Sequence, residues 1–118
     1  MLAHLEIGKQ GEKAAAKYLK SLGYKILEKN VRLGKDEIDI IAYDRRDKVI
    51  VFAEVKSRAK FDEDFRPELN AGWWKKEKLK RSARAWVTAH EYEGGYRIDL
   101  VCVAGGKVVN HMRELSWT

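Results

Sequence analysis

Two short apolar segments carry acids where a buried strand should carry none: Asp36-Glu37-Ile38-Asp39-Ile40-Ile41-Ala42 and Val49-Ile50-Val51-Phe52-Ala53-Glu54-Val55-Lys56. Strand side chains alternate between faces, so Glu37 and Asp39 share one face of the first segment, and Glu54 and Lys56 share one face of the second. If Arg45 to Lys48 make the turn, the hairpin pairs Asp44 with Val49 and sets Asp39 opposite Glu54 and Glu37 opposite Lys56. Opposed side chains on such a hairpin stand roughly 5 Å apart at Cβ. Two carboxylates at that spacing repel, and either a proton or a cation relieves the conflict. A divalent metal is the simplest relief.

The chemistry open to such a site is phosphodiester hydrolysis. It needs an activated water, stabilised phosphoryl oxygens and relief for the departing alkoxide, all of which Mg²⁺ can supply. Mg²⁺ takes hard oxygen ligands, typically one or two carboxylates plus waters, which Asp39, Glu54 and the backbone carbonyl of Val55 can offer. Mn²⁺ is expected to substitute. Lys56 projects from the same face as Glu54, where its ammonium can orient the attacking water, or act as a base if burial lowers its pKa. A bare Glu-x-Lys is more often an exposed pair at a strand end, worth only ~0–1 kcal/mol. The apolar setting and the hairpin register favour the functional reading. Glu12 is open between two readings: an acid on the inward stripe of a helix, or a first-turn acid complementing the helix dipole. Glu37 either supports the metal or pairs with Lys56 across the hairpin, and the supporting role is preferred.

Several elements must position these groups. Residues 8 to 21 read as an amphipathic helix, with Ala15, Ala16, Leu19 and Leu22 facing inward and Gly23 as the stop. Tyr24 to Val31 alternates weakly, Leu33-Gly34-Lys35 turns the chain, and a strand meander follows. Residues 57 to 72 show no period and read as a long loop that influences substrate choice. From Trp73 to His90 a second helix presents Leu79, Ala83, Trp86, Val87 and His90 inward. Tyr96 to Val103 and Lys107 to Met112 read as two further strands. Helix, three strands, helix and two strands make an α/β (α+β) domain with a mixed sheet flanked by helices, one unit over residues 1 to 118.

Lys and Arg outnumber Asp and Glu 24 to 18, a net charge of +6 that favours an acidic partner such as nucleic acid. The second helix concentrates Lys78, Lys80, Arg81 and Arg84 on one side, while Lys75 and Lys76 extend its inward stripe. Lys75, Lys76, Lys80 and Arg84 are the candidate nucleic-acid contacts, and Lys78 and Arg81 read as solvated surface. Trp73 and Trp74 suit either base stacking or packing in a core or dimer. Three scattered histidines and one cysteine exclude a clustered zinc site, and no phosphate-cradling glycine motif occurs. Cys102 reads as a buried hydrophobe, and a lone cysteine fits a reducing compartment. No run approaches the roughly 18 apolar residues of a membrane span, so the expected location is the cytoplasm.

Gly11-Glu12 with Ala15, Gly23-Tyr24, Asn30, Glu37-Ile38-Asp39-Ile40-Ile41-Ala42, Phe52-Ala53-Glu54-Val55-Lys56-Ser57-Arg58, Lys75 with Leu79, and Arg97-Ile98-Asp99 together resemble the bacterial UPF0102 (YraN-like) family. That family is similar to archaeal Holliday-junction resolvases and to the PD-(D/E)xK restriction-endonuclease-like superfamily. The resemblance implies an αβββαβ core and a Mg²⁺-dependent nuclease site. It matches Asp39 to the motif aspartate, Glu54 and Lys56 to the (D/E)xK pair, and Glu12 to the acid of the first helix. Asp36 replaces an expected glycine and adds negative charge near the site. Ala53 stands for a valine, and Lys76 for a frequent glutamine. The expected function is a metal-dependent DNA endonuclease acting on branched or structured DNA, as a homodimer where two symmetric cuts are needed. The alternative is a nucleic-acid-binding or partner-docking module with the same fold and little hydrolysis.

Overall fold

The structure is a computed structural model that describes residues 2–60 and 73–113. Seven elements follow in order: α1 (Leu2–Ser21), β1 (Tyr24–Leu33), β2 (Asp36–Asp44), β3 (Val49–Arg58), α2 (Trp73–Ala89), β4 (Tyr96–Ala104) and β5 (Lys107–Met112). The first six run αβββαβ, as the sequence implies. All seven build an α+β fold around one five-stranded mixed sheet in the order β1-β2-β3-β4-β5. Three neighbouring pairs are antiparallel, and β3 with β4 is parallel. A parallel pair needs a long crossover, and α2 lies within it.

The two helices cover opposite faces. Ala15, Ala16 and Leu19 of α1 pack on Ile40, Ala42, Val51, Ala53, Val101 and Val103. Leu79, Ala83 and Trp86 of α2 pack on Ile38, Ile41, Ile50, Phe52 and Ile98. Each fully buried Val, Leu, Ile or Phe among these contributes about 1.5–3 kcal/mol of burial. Trp86 closes the far edge of the second layer by donating its indole N–H to Glu28 of β1 at 2.8 Å. Cys102 is buried, as a small hydrophobe should be.

Several boundaries differ from the sequence reading. The first helix starts at Leu2 rather than residue 8, because nothing from Leu2 to Ile7 breaks a helix. It ends where expected: Gly23 takes φ 91°, and its N–H bonds to the Lys20 carbonyl at 2.9 Å. Leu22 was expected inward but is 45% exposed, because it stands past the last turn. His90 is also exposed: it follows the end of α2 and stacks on Trp86 at 3.9 Å instead of entering the core. Strand β3 runs to Arg58, so Ser57 and Arg58 belong to the sheet and not to a loop. Residues 61–72 of that expected loop lie outside the described residues. No described helix is long and apolar enough to cross a membrane.

Candidate functional site

The hairpin forms in the expected register, with Asp44 opposite Val49 and Ile40 opposite Ala53, and the ladder stops there. One step further the same register would place Asp39 opposite Glu54, and three steps further Glu37 opposite Lys56, but backbone pairing has ended. The Val55 N–H instead donates to Asp39 Oδ2 at 2.8 Å. A strand residue exchanges hydrogen bonds through its N–H and C=O along one edge, so the Val55 carbonyl leaves on the side of Asp39. Strict alternation also fails at this point. Ile38 packs in the α2 layer and Ile40 in the α1 layer, although residues two apart should share a face. Across from the break stands Asn30 with φ 53°, between the ladder steps Lys29↔Ile40 and Val31↔Ile38. The sharing of a face by Glu37 and Asp39 therefore does not follow from simple alternation. A local irregularity in both strands brings them together.

Asp39 is held among acids. Its pKa is pushed up to about 6, first by burial and then by the charges of Glu54, Glu12 and Glu37, against the lowering effect of the Val55 N–H. Glu12 is half-buried and also raised, by burial foremost, with Glu37 adding to the rise while Asn30 and Lys29 oppose it. This resolves its two readings in favour of the inward stripe. Helix α1 reaches the sheet here because Gly11 has no side chain: a Cβ would lie 1.7 Å from Ser57 Oγ. With its amide nitrogen turned toward the acids, Asn30 donates to Glu12 Oε2 at 3.0 Å, to Glu12 Oε1 at 3.2 Å and to Glu37 Oε1 at 3.3 Å. Sequence reasoning assigned Asn30 no role. The available signal was a residue poor in strand propensity inside a strand and prone to positive φ.

Lys56 pairs with Glu54, Nζ to Oε1 at 3.2 Å. An open cleft of about 340 Å³ lies over this end of the sheet, lined by Ile7, Gly8, Glu12, Asp39, Val55, Lys56, Ser57, Arg58 and Ala59. The donors are carboxylates and a carbonyl, hard oxygen ligands suited to Mg²⁺. Among the described residues no three acid, His or Cys side chains are gathered closely enough to chelate an ion by themselves. Mg²⁺ fits that sparse provision, because it keeps several waters and needs only one or two carboxylates. The donor chemistry fits the ion.

Asp36 does not add charge to this cluster. It is buried on the α2 side, where Arg81 Nη2 lies 3.1 Å from Oδ2 and Lys78 Nζ lies 3.7 Å from Oδ1. Lys78 and Arg81 are thus ion-pair partners rather than idle solvated surface. Of the candidate nucleic-acid contacts, the side chain of Lys75 lies outside the described residues, as do those of Trp73 and Trp74. Lys76 is half-buried, Lys80 lies 4.0 Å from Glu77, and Arg84 is exposed. All belong to α2, across the sheet from α1. The Arg97-Ile98-Asp99 motif serves a different purpose: Arg97 bonds Asp99 at 2.9 Å and Asp44 at 3.0 Å, and His111 bonds Asp99 at 2.6 Å.

Comparison with known proteins gives two kinds of likeness. Sequence relatives include the UPF0102 proteins of Thermodesulfovibrio yellowstonii, 42% identical over 91% of this chain and 93% of the relative, and Cytophaga hutchinsonii, 34% identical over 98% and 99%. Among solved structures, a repair endonuclease from Pyrococcus abyssi aligns with a TM-score of 0.47 and 20% identity, over 80% of this chain and 39% of that one. An EndoMS complex with double-stranded DNA aligns with a TM-score of 0.41 and 15% identity, over 80% and 35%. The sequence profile described as "Uncharacterised protein family UPF0102" matches residues 11–103, and with relatives this similar along nearly their whole length the chain belongs to that family.

Proposed function

We propose that this protein is a Mg²⁺-dependent DNA endonuclease of the PD-(D/E)xK type. The observation that carries the reading is Asp39: a half-buried carboxylate, fixed by a backbone N–H, surrounded by three further acids at the mouth of a cleft. Such an arrangement is costly without a cation and is gratified by one. Asp39, Glu54 and the Val55 carbonyl would hold the ion, with Glu12 and Glu37 supporting it. Bound there, Mg²⁺ or Mn²⁺ supplies Lewis acidity toward the phosphoryl oxygens and lowers the pKa of water. The chain's own residues do the rest. Lys56, restrained by Glu54, orients the attacking water and offsets charge on the phosphoryl group. Asn30 keeps Glu12 and Glu37 aligned, and the apolar layer under Asp39 keeps its carboxylate from relaxing into solvent. Branched DNA is the preferred substrate in this reading, with two chains pairing to make two symmetric cuts.

The sparse chelation among the described residues favours one competing reading, a DNA-docking module that does not hydrolyse. A cleavage assay on branched, flapped, single-stranded and duplex DNA with Mg²⁺ or Mn²⁺ separates them. Wild type is expected to nick, and Glu54→Ala and Lys56→Ala to lose at least 100-fold, on the order of what removal of one transition-state contact costs. Nicking that survives both substitutions would sink the site. Binding without cleavage by wild type would support the docking module, and sedimentation with and without junction DNA tests the dimer.

A further inference from the structure

We propose that the exposed lysine row of α1, formed by Lys9, Lys13, Lys17 and Lys20, grips a nucleic-acid backbone and leads it past Glu12 to Asp39. This rests on the nuclease reading and changes where the substrate lies: along α1, and not on the basic face of α2. The four lysines follow one another at i+4, i+4 and i+3, and all are exposed. At 100° per residue they occupy about 80° of the helix circumference, and at 1.5 Å per residue the row is about 16 Å long. Glu12 stands three residues after Lys9, on the side of the row that turns toward the sheet. The row therefore begins at the cleft.

Charge accounting separates this surface from an ordinary solvated helix face. Surface helices commonly interleave acids with lysines so that i, i+4 pairs attract, whereas Lys9–Lys13 and Lys13–Lys17 repel. No acid interrupts the exposed face between Lys9 and Ser21. Among the described residues none of the four lysines has a carboxylate within 4.0 Å. On α2, by contrast, Lys78 and Arg81 are committed to Asp36, and Lys80 lies beside Glu77. Lys29 of β1 adds a cation on the sheet side of Glu12, close enough for its charge to act on that carboxylate. Arg32 stands opposite Glu37 in the ladder. Positive charge thus rims the acids on the α1 side, the arrangement that suits a polyanion whose phosphate must approach carboxylates.

The test is fluorescence anisotropy with labelled junction, duplex and single-stranded DNA in EDTA, which suppresses hydrolysis, between 50 and 200 mM salt. Lys13→Gln/Lys17→Gln removes two charges with good helix formers, and circular dichroism checks the fold. Each lost phosphate contact should flatten the slope of log affinity against log salt by about 0.9 on duplex or about 0.7 on single strands. The double variant is therefore expected to bind roughly tenfold more weakly with a slope shallower by one to two. Lys80→Gln/Arg84→Gln on α2 is expected to stay within about twofold of wild type. Unchanged affinity and slope in the α1 variant, or an equal loss in the α2 variant, overturns the assignment. Failure of wild type to bind any of the three DNAs overturns it together with the nuclease reading. Binding with the expected slope change but without cleavage in Mg²⁺ overturns the nuclease reading alone.

Discussion

Asp36 and Asp39 sit three residues apart on one strand and titrate in opposite directions. Burial raises both, but at Asp36 the Arg81 hydrogen bond and the charges of Arg81 and Lys78 outweigh it and hold the carboxyl below its usual range. Asp39 meets only one backbone N–H and three further acids, and rises to about 6. The stability consequences have opposite signs. The Asp36 contribution is complete above the unfolded pKa of 3.8 and is lost as pH falls through the lowered folded value. The Asp39 penalty is absent below 3.8, grows as pH rises to about 6, and is constant above that. Asp39→Asn keeps an acceptor for Val55 and removes the charge, so in EDTA at pH 7.5 it is expected to stabilise the fold by roughly 2–3 kcal/mol, with no gain at pH 3.5. Urea melts at the two pH values check this; an Asn variant no more stable than wild type at pH 7.5 refutes it. Asn30 combines two roles that substitution can separate. Asn30→Gly keeps the φ 53° backbone and loses the amide, so it should weaken Mn²⁺ binding about 10-fold with little change in Tm. Asn30→Ala should weaken binding equally and also lose about 1 kcal/mol of stability from the left-handed backbone. Calorimetric titration with Mn²⁺ alongside thermal melts distinguishes amide from backbone.

At the level of elements, the site depends on how closely α1 lies on β3. Gly11 is the point of contact, and a Cβ there would also come within 2.7 Å of Ser57 Cβ. Gly11→Ala must lift the helix, carrying Glu12 away from Asp39. The expected result is a loss of about 1–3 kcal/mol from overpacking, with cleavage falling further than stability accounts for. Gly11→Ala/Ser57→Gly restores room and should recover most of both; a double variant as impaired as the single one would show that the contact is not what places Glu12. The elements themselves were legible from pattern: the Ala15, Ala16 and Leu19 stripe, the Gly23 stop and the turn at Arg45 to Lys48 are local signals. The closeness of Gly11 to Ser57 was not, because 46 positions of chain separate them and a glycine in a helix reads only as a weak former.

Across the whole molecule, a buried polar network ties together parts that the acid-bearing strands alone do not connect. Arg97 joins β4 to the end of β2 through Asp44 and to Asp99, whose carboxylate meets His111 of β5, and His111 meets the Tyr18 hydroxyl of α1 at 3.1 Å. Asp44 and Asp99 are fully enclosed, and this guanidinium is an ion-pair partner of both. Arg97→Met leaves both without it and is expected to cost about 3–5 kcal/mol. Denaturant unfolding measures the loss, and a cost under 1 kcal/mol would contradict the role. At low temperature, where the variant remains folded, cleavage should persist, since none of these groups lines the cleft.

What the sequence determined by itself is what local periodicity and register can express: αβββαββ order, the hairpin that brings Asp39 toward Glu54, and membership of a family by ordered motifs. Only the tertiary structure decided which charges meet. Asp36 left the acidic cluster because α2 supplied Arg81 and Lys78 to it, and those two residues became its ion-pair partners for the same reason. Asn30 entered the site because a positive φ on one strand and a broken alternation on its neighbour turned the acids onto the α1 face. Periodicity assigns a side chain to a face. Its partner comes from another element, and for a charged group the partner sets pKa, cost and role.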